Sequence, residues 1–294
     1  MATWFITGAA RGLGAEIARH ALNAGHDVAV GARRVDALPD DLRDAKRCLP
    51  VTLDVTDQAQ IDHAVAQIVD RFATIDVLVN NAGRVLVGAL EEVTDDEARS
   101  LFDVNVFGLI NVTRAVLPTM RAAGNGKIVH IGSRAGFEGE PGVSLYSASK
   151  FAVAGISEAL AAELGPLGIQ SMVVEPGAFR TGLFDASSLL VSGARLAAYD
   201  GTPAHYVRDA IDMANHAQPG DPVKGAAPGD PVKGAALIVE VTDGESLPSH
   251  LLVGSDAYER LEVKNAMVAE HIAPWRSRAM ATAHHDTGSS SPAT

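Results

Sequence analysis

A tyrosine and a lysine four residues apart, Tyr146 and Lys150, are the residues of this chain best suited to acid–base chemistry. If the segment is helical, both side chains lie on one face. A phenol keeps its proton up to about pH 10, and a neighbouring ammonium lowers that pKa toward neutrality. Ser133, thirteen residues upstream, adds a hydroxyl that can hydrogen-bond an oxygen gaining or losing a proton. The trio suits interconversion of a carbonyl and an alcohol. Because Tyr-x-x-x-Lys is also frequent on ordinary helices, the other motifs of the chain must show whether these residues are catalytic.

The composition excludes several classes of function. The chain has 294 residues, of which 47% are hydrophobic, enough for a substantial core. Its 36 acidic and 24 basic residues give a net charge of −12, which disfavours binding to nucleic acids or anionic membranes. Cys48 is the single cysteine, so no intramolecular disulfide forms. The sequence shows neither a signal-peptide pattern nor an apolar run of membrane-spanning length, so we expect a cytoplasmic protein.

Short apolar runs alternate with longer amphipathic stretches from residue 3 to about residue 253. The predicted strands are 3–7, 27–31, 48–53, 77–79, 127–131, 170–174 and 250–253, and the predicted helices are 12–24, 57–73, 95–122, 145–166 and 229–242. Apolar strands that alternate with helices indicate an α/β fold, with a doubly wound, parallel, seven-stranded sheet covered by helices on both faces. No linker interrupts the pattern, so residues 1–276 are predicted to form one domain.

Three segments depart from this alternation. Residues 178–218 are rich in Gly, Ala and Ser, and we interpret them as a helical lid over the substrate. The nine residues at 219–227 recur unchanged at 228–236, which indicates a duplication tolerated in a surface loop. Residues 277–294 are small and polar and are expected to be disordered. His284 and His285 in that tail have no acidic or sulfur partners nearby in sequence, so we expect no metal site.

A glycine-rich turn follows the first predicted strand and opens the first helix. Its core residues are Gly8, Arg11, Gly12, Leu13 and Gly14, spaced as G-x-x-x-G-x-G. Glycines let the backbone approach a pyrophosphate closely, and the helix N-terminus supplies aligned N–H groups. At this strand-to-helix junction, a nucleotide site is favoured over a simple tight turn.

The end of the second strand indicates which nucleotide binds. An acidic residue there would accept a hydrogen bond from the ribose 2′-hydroxyl of NAD. This strand is followed instead by Arg33 and Arg34, and Arg11 lies in the glycine turn. The planar fork of Arg33 suits a 2′-phosphate, with Arg11 assisting, so the sequence predicts NADP(H). The alternative is a pair of solvated surface arginines.

Polar residues also end the third and fourth strands. Asp54 and Val55 follow one strand, and Asn81, Ala82 and Gly83 follow the next. Strand C-termini are where an open parallel sheet places its ligand, so Asp54 is predicted to accept from the adenine amino group and Asn81 to brace the cofactor loops. Alternatively, Asp54 caps the following helix and the asparagine is a turn former.

Together these motifs resemble the classical short-chain dehydrogenase/reductase family, in its 17β-hydroxysteroid-dehydrogenase-like branch. The matching positions, in the family's order and spacing, are 7–14, Asp54, 80–83, Asn105, Ser133, Tyr146, Lys150 and Pro176-Gly177-x-x-x-Thr181. The start of the chain at 3–8 and the late segment Leu251-Leu252-Val253-Gly254-Ser255-Asp256-Ala257 look like this branch. The resemblance implies a single-domain Rossmann fold and an oxidoreductase that forms a homodimer or homotetramer through 95–122 and 145–166.

The resemblance also implies roles for individual residues. Tyr146 would transfer the alcohol proton, Lys150 would lower its pKa and hold the nicotinamide ribose, and Ser133 would hydrogen-bond the substrate oxygen. Asn105 would anchor a water that relays protons from Lys150. Pro176 and Gly177 would shape the nicotinamide pocket, with Thr181 holding the carboxamide.

The substrate is predicted only as a class. The candidate pocket walls are 84–87, 134–143 and 179–190, which carry Val85, Leu86, Phe137, Val143, Leu183 and Phe184, with Arg134, Glu138 and Arg180 as polar contacts. This balance favours a moderately large apolar ketone or secondary alcohol. The leading interpretation is an NADP(H)-dependent carbonyl reductase. The alternatives are an NAD-dependent hydroxysteroid or lipid alcohol dehydrogenase and a non-catalytic nucleotide sensor.

Overall fold

The computed structural model of the chain describes residues 1–179, 188–213 and 229–283. Within them, one sheet forms the centre of a single domain. Its seven strands are β1 Thr3–Thr7, β2 Asp27–Ala32, β3 Cys48–Thr52, β4 Val77–Asn80, β6 Gly126–Ile131, β7 Ile169–Pro176 and β9 His250–Val253. They are all parallel and lie in the order β3-β2-β1-β4-β6-β7-β9. The predicted doubly wound, seven-stranded Rossmann fold is confirmed.

The helices cover both faces of this sheet. Among the described residues they are α1 Gly12–Asn23, α2 Asp40–Arg43, α3 Gln58–Phe72, α4 Asp95–Phe102, α5 Leu109–Ala123, α6 Ser144–Leu164, α7 Tyr206–Met213, α8 Pro231–Asp243, α9 Ser255–Ile272 and α10 Arg276–Met280. Side chains that cap the first turn explain where two of these helices begin. Asp57 accepts hydrogen bonds from the N–H groups of Ala59 and Gln60 at 3.0 and 3.2 Å, and Thr94 forms a capping box with Glu97.

The core has one layer on each face of the sheet, because successive strand residues point in opposite directions. Trp4 and Ile6 join α1 and α8 in one cluster, whereas Phe5 joins α3 and α5 in the other. Among the described residues, the continuous helical stretch from Asp95 to Ala123 is long and apolar enough to cross a bilayer by length and composition. In the fold its buried side, at Val112, Val116 and Met120, packs into the second cluster.

A second, two-stranded sheet lies beside the main one and was not predicted from the sequence. It pairs β5, Val85–Val87, in parallel with β8, Leu189–Val191. The expected helical lid at 178–218 is therefore only partly helical in the described residues, which contain β8 as well as α7. The segment at 178–218 contacts the rest of the domain through Glu92. This carboxylate is fully buried, and its Oε1 lies 2.7 Å from Nε2 of His205.

The duplication and the tail are only partly described. In the second copy, Asp230 caps α8 by accepting from the N–H of Val232 at 2.9 Å. The first copy, 219–227, lies outside the described residues, as do 284–294. The expectation of a disordered tail from residue 277 is wrong at its start, since Arg276–Met280 is helical.

Candidate active site

A cavity of about 990 Å³ opens at the C-terminal edge of the main sheet. Most of the residues predicted from the sequence line it: Gly8, Arg11, Gly12, Leu13, Arg33, Asp54, Val55, Asn81, Ala82, Gly83, Ser133, Tyr146, Lys150, Pro176 and Gly177. Gly14 and Asn105, also predicted as site residues, do not line the cavity. Thr181 lies outside the described residues. One cavity therefore contains both the glycine turn and the acid–base trio.

The glycine turn is shaped by its own backbone and by Asn81. Gly8 and Gly12 have φ angles of +67° and +57°, which favour glycine. The side-chain amide of Asn81 donates to the carbonyls of Thr7 and Gly8 at 2.9 and 3.0 Å. A Cβ on Gly14 would overlap that amide, so Gly14 makes room for the brace instead of lining the cavity.

Helix α1 begins at Gly12 and points its N-terminus into the cavity. Among the described residues, no side chain caps this end and its first turn carries no acid. The free N–H groups and the helix dipole suit an anion such as a phosphate. Arg11 has a further contact that the sequence did not predict, because its Nη2 donates to Ser188 Oγ at 2.5 Å.

Arg33, Arg84 and Asp54 also line the cavity, where Nη1 of Arg84 donates to Ser100 Oγ at 3.0 Å. Burial alone would raise the pKa of Asp54, but hydrogen bonds from Thr56 and the charges of Arg33 and Arg84 lower it overall. Burial and the charge of Arg33 lower the pKa of Arg84. The cap of α3 is Asp57, so Asp54 does not serve as that cap. The sequence predicts Arg84 only as part of the substrate wall, not as a neighbour of Arg33. Its place directly after Gly83, at a strand end, is the signal that could have indicated this position.

Tyr146 lies in the first turn of α6 and is 8% exposed. Burial raises the pKa of its phenol to about 12, and a hydrogen bond with Ser133 offsets part of this effect. Ser133 ends the loop after β6, where its Oγ also accepts from the N–H of Ala135 at 3.2 Å. The expected lowering of the Tyr146 pKa is wrong for this structure, because desolvation outweighs the neighbouring charges.

Lys150 lies one turn further along α6 and is also buried. Its Nζ donates to the carbonyl of Ile131 at 2.8 Å and lies 5.8 Å from the centre of the Tyr146 ring. Burial lowers the pKa of Lys150 to about 8. The predicted shared helical face of Tyr146 and Lys150 is therefore present, with the ammonium beside the ring.

Asn105 lies in a π-helical turn, Asp103–Gly108, between α4 and α5. Its Oδ1 accepts from the N–H of Arg84, and its Nδ2 donates to the carbonyl of Arg84, both at 2.9 Å. Nδ2 also donates to Ser149 Oγ at 3.0 Å. A Cβ added to Gly83 would lie 3.3 Å from Asn105 Oδ1 and 3.8 Å from Lys150 Nζ. The side chain thus lies close behind Lys150 and fixes the strand end that carries Arg84.

The predicted substrate walls are placed in part. Val85, Val143, Phe179 and Arg134 line the cavity, whereas Leu86 and Phe137 do not. Arg180, Leu183 and Phe184 lie outside the described residues. Arg134 and Glu140 line the cavity as an ion pair, with Arg134 Nε 3.0 Å from Glu140 Oε1. Glu138, also predicted as a polar contact, does not line it and pairs instead with Arg260, whose Nε lies 2.7 Å from Glu138 Oε2.

Comparison with known proteins identifies relatives over nearly the whole chain. Residues 2–189 match the family profile described as short chain dehydrogenase. Oxidoreductase BOA17 of Botryotinia fuckeliana is 34% identical over 95% of this chain and 98% of its own length. The crystal structure of a short-chain dehydrogenase from Streptomyces avermitilis is 39% identical and superposes with a TM-score of 0.85, covering 96% of this chain and all of that one.

A third relative was solved with a bound nucleotide. The structure of an actinorhodin polyketide ketoreductase variant with NADPH is 29% identical, with a TM-score of 0.73 over 87% of this chain and 97% of that one. Family profile, relatives and fold agree over the part of the chain that carries the cavity. The chain belongs to the short-chain dehydrogenase family and is an oxidoreductase.

Proposed function

We propose that the protein is an NADP(H)-dependent reductase that converts a moderately large, apolar ketone or aldehyde into an alcohol. The observation that carries this proposal is the convergence of Ser133, Tyr146 and Lys150 in the cavity that also contains the glycine turn. The Ser133 side chain lowers the pKa of Tyr146 against the larger effect of burial, and the Lys150 ammonium lies 5.8 Å from the Tyr146 ring centre.

The residues present fit a dinucleotide phosphate. The glycine turn and the N-terminus of α1 suit the pyrophosphate, because both line the cavity and no described side chain caps that end of the helix. Arg33, with Arg84 beside it, suits the 2′-phosphate, and no carboxylate ends β2. Asp54 is proposed to contact the adenine, and Val55, Ala82 and Gly83 to line the pocket. The related ketoreductase structure with NADPH supports the same choice.

The dinucleotide, when bound, supplies the hydride that adds to the carbonyl carbon. The negative charge that develops on the carbonyl oxygen then takes the proton of Tyr146, and Ser133 hydrogen-bonds the same oxygen. Because the pKa of Tyr146 is about 12, its phenol keeps the proton at neutral pH and acts as an acid. Lys150 stabilises the phenolate that forms, and Pro176, Gly177 and Thr181 are proposed to hold the nicotinamide end. Asn105 is proposed to hold the backbone next to Lys150.

A panel of ketones and aldehydes, with NADPH and with NADH, tests the proposal by the loss of reduced-nucleotide absorbance. We expect turnover of bulky apolar ketones with a higher kcat/KM for NADPH. A clear preference for NADH, with turnover of hydroxysteroids or long-chain alcohols in the oxidative direction, would favour an NAD-dependent dehydrogenase instead. Tight NADPH binding without consumption across the panel would indicate a nucleotide sensor and contradict the proposal.

A further inference from the structure

The turn after β9 brings a carboxylate against the loop that follows β7. Oδ2 of Asp256 accepts from the N–H of Ala178 at 2.8 Å, although the two residues are 78 positions apart in sequence. The neighbouring Gly177 donates its N–H to the carbonyl of Val253 at 2.9 Å. The loop that begins at Gly177 is therefore held from the β9 side at two successive N–H groups.

Gly177 is the residue that permits this contact. A Cβ at position 177 would overlap the carboxylate of Asp256. Gly254, which starts the turn, has a φ angle of +104°, a conformation that glycine adopts readily. An acid in the first turn of α9 would stabilise that helix without any contact to residue 177. The close fit between Gly177 and Asp256 therefore indicates a second role for the carboxylate.

Arg134 extends the contact to the acid–base residues. It directly follows Ser133, and its Nη1 lies 3.6 Å from Oδ2 of Asp256. Its Nε lies 3.0 Å from Oε1 of Glu140, in the loop that leads into α6. Asp256 thus connects three loops around the cavity: the one at Gly177, the one at Ser133 and the one that precedes Tyr146.

We propose that Asp256 is a positioning residue for the nicotinamide end of the site, holding the loop at 177–178 and aligning it with Ser133 through Arg134. The inference rests on the proposed NADP(H) function, because it assigns that loop to the nicotinamide. Asp256 does not line the cavity and acts through the backbone N–H of Ala178, whose hydrogen bond it accepts.

Calorimetric binding of NADPH and of 2′,5′-ADP, which lacks the nicotinamide, tests the inference. Asp256→Ala should weaken NADPH binding by about tenfold, the usual cost of a lost hydrogen bond to a charged acceptor. The affinity for 2′,5′-ADP should stay unchanged, because its contacts are at Arg33 and the glycine turn. Asp256→Asn keeps an oxygen for Ala178 and should bind NADPH nearly as the wild type does. Glu259→Gln, an exposed charge change on the same helix, is the matched control and should change neither affinity.

A double-mutant cycle sharpens the assignment. Gly177→Ala should weaken NADPH binding by itself, because the new methyl group displaces the carboxylate. In the Asp256→Ala background the same substitution should have a much smaller effect, since the overlap is gone. Additive effects would mean that the two residues act independently, and would contradict the proposal.

The outcomes separate this inference from the proposed function. Equal losses of NADPH and 2′,5′-ADP affinity in Asp256→Ala, or no loss of either, would overturn the positioning role while the reductase assignment stands. Absence of NADPH consumption by the wild type would overturn the reductase assignment, while the binding comparison still tests Asp256. A wild type that prefers NADH is tested with NADH and 5′-AMP in the same design, and a wild type that binds neither dinucleotide overturns both proposals.

Discussion

Arg33 and Arg84 place two cations next to Asp54 in the cavity. Burial and the charge of Arg33 lower the pKa of Arg84, and the charges of Asp54 and Asp103 offset part of this effect. The planar guanidinium groups suit a 2′-phosphate. At the scale of single residues, the proposed preference for NADP(H) therefore depends on this pair.

Replacement of Arg33 tests the assignment. Arg33→Ala should raise KM for NADPH by about tenfold or more with kcat little changed, because the phosphate contact is the same in the ground and transition states. KM for NADH should barely change. Arg43→Ala, which removes a half-exposed, ion-paired arginine on α2, is the control for loss of charge. An equal rise in KM for both nucleotides would show that Arg33 does not read the 2′-phosphate.

The types and spacing of the site residues could be read from the sequence, but their electrostatics could not. The glycine turn and the Ser133, Tyr146 and Lys150 set depend on local patterns, and the structure brings them together as expected. The direction of the Tyr146 pKa shift depends on how deeply α6 packs, which is a tertiary property. Burial raises the pKa of the phenol by more than Ser133 and Arg134 lower it, so the phenol keeps its proton at neutral pH.

Among the elements, β6 carries a fully buried histidine. Nδ1 of His130 lies 3.2 Å from Nδ2 of Asn80, which also donates to Oγ1 of Thr113 at 2.9 Å. Burial lowers the pKa of His130 from 6.5 to about 3. The neutral ring therefore fits the strand, and its protonation would place an uncompensated charge between the sheet and α5.

The stability of the fold should therefore depend on His130 at mildly acidic pH. Between about pH 6.5 and pH 3 the unfolded chain binds a proton that the folded chain does not, so this residue lowers the free energy of unfolding as pH falls, by up to about 1.4 kcal/mol per unit. Its contribution is fully present above pH 6.5. Urea unfolding of the wild type and of His130→Val at a series of pH values measures the difference. Equal slopes in the two proteins would show that His130 is not the titrating group.

Long elements were predicted more accurately than short ones, for a physical reason. Strands such as Thr3–Thr7 are buried apolar runs of five or more residues, and helices such as Gln58–Phe72 carry a periodic apolar pattern. The pair Val85–Val87 and Leu189–Val191 has three residues in each strand and joins segments about a hundred positions apart. Three residues do not establish a period, so pairing at this distance becomes visible only once the chain is folded.

For the molecule as a whole, the tandem repeat adds nine residues whose effect on stability can be measured. The second copy provides Asp230, the cap of α8, and Gly229, whose N–H donates to the carbonyl of Ala178 at 2.7 Å. Deletion of 219–227 retains both, because the remaining copy has the same sequence. A surface insertion costs little loop entropy.

The deletion variant should therefore have a melting temperature within about 2 °C of the wild type, since a loop-length change of this size is worth only a few tenths of a kcal/mol. Scanning calorimetry and kcat/KM for NADPH are the measurements. A large fall in either quantity would show that the first copy contacts the domain or its site, and would reject its interpretation as a tolerated insertion.

The central claim is that Tyr146 donates the proton in an NADPH-dependent carbonyl reduction. Tyr146→Phe keeps the ring and its packing and removes only the acid. The most direct measurement is kcat of this variant on the best ketone of the panel, beside its NADPH affinity by calorimetry. We predict a fall in kcat of at least about 100-fold with NADPH affinity nearly unchanged. A variant that retains substantial turnover would contradict the account.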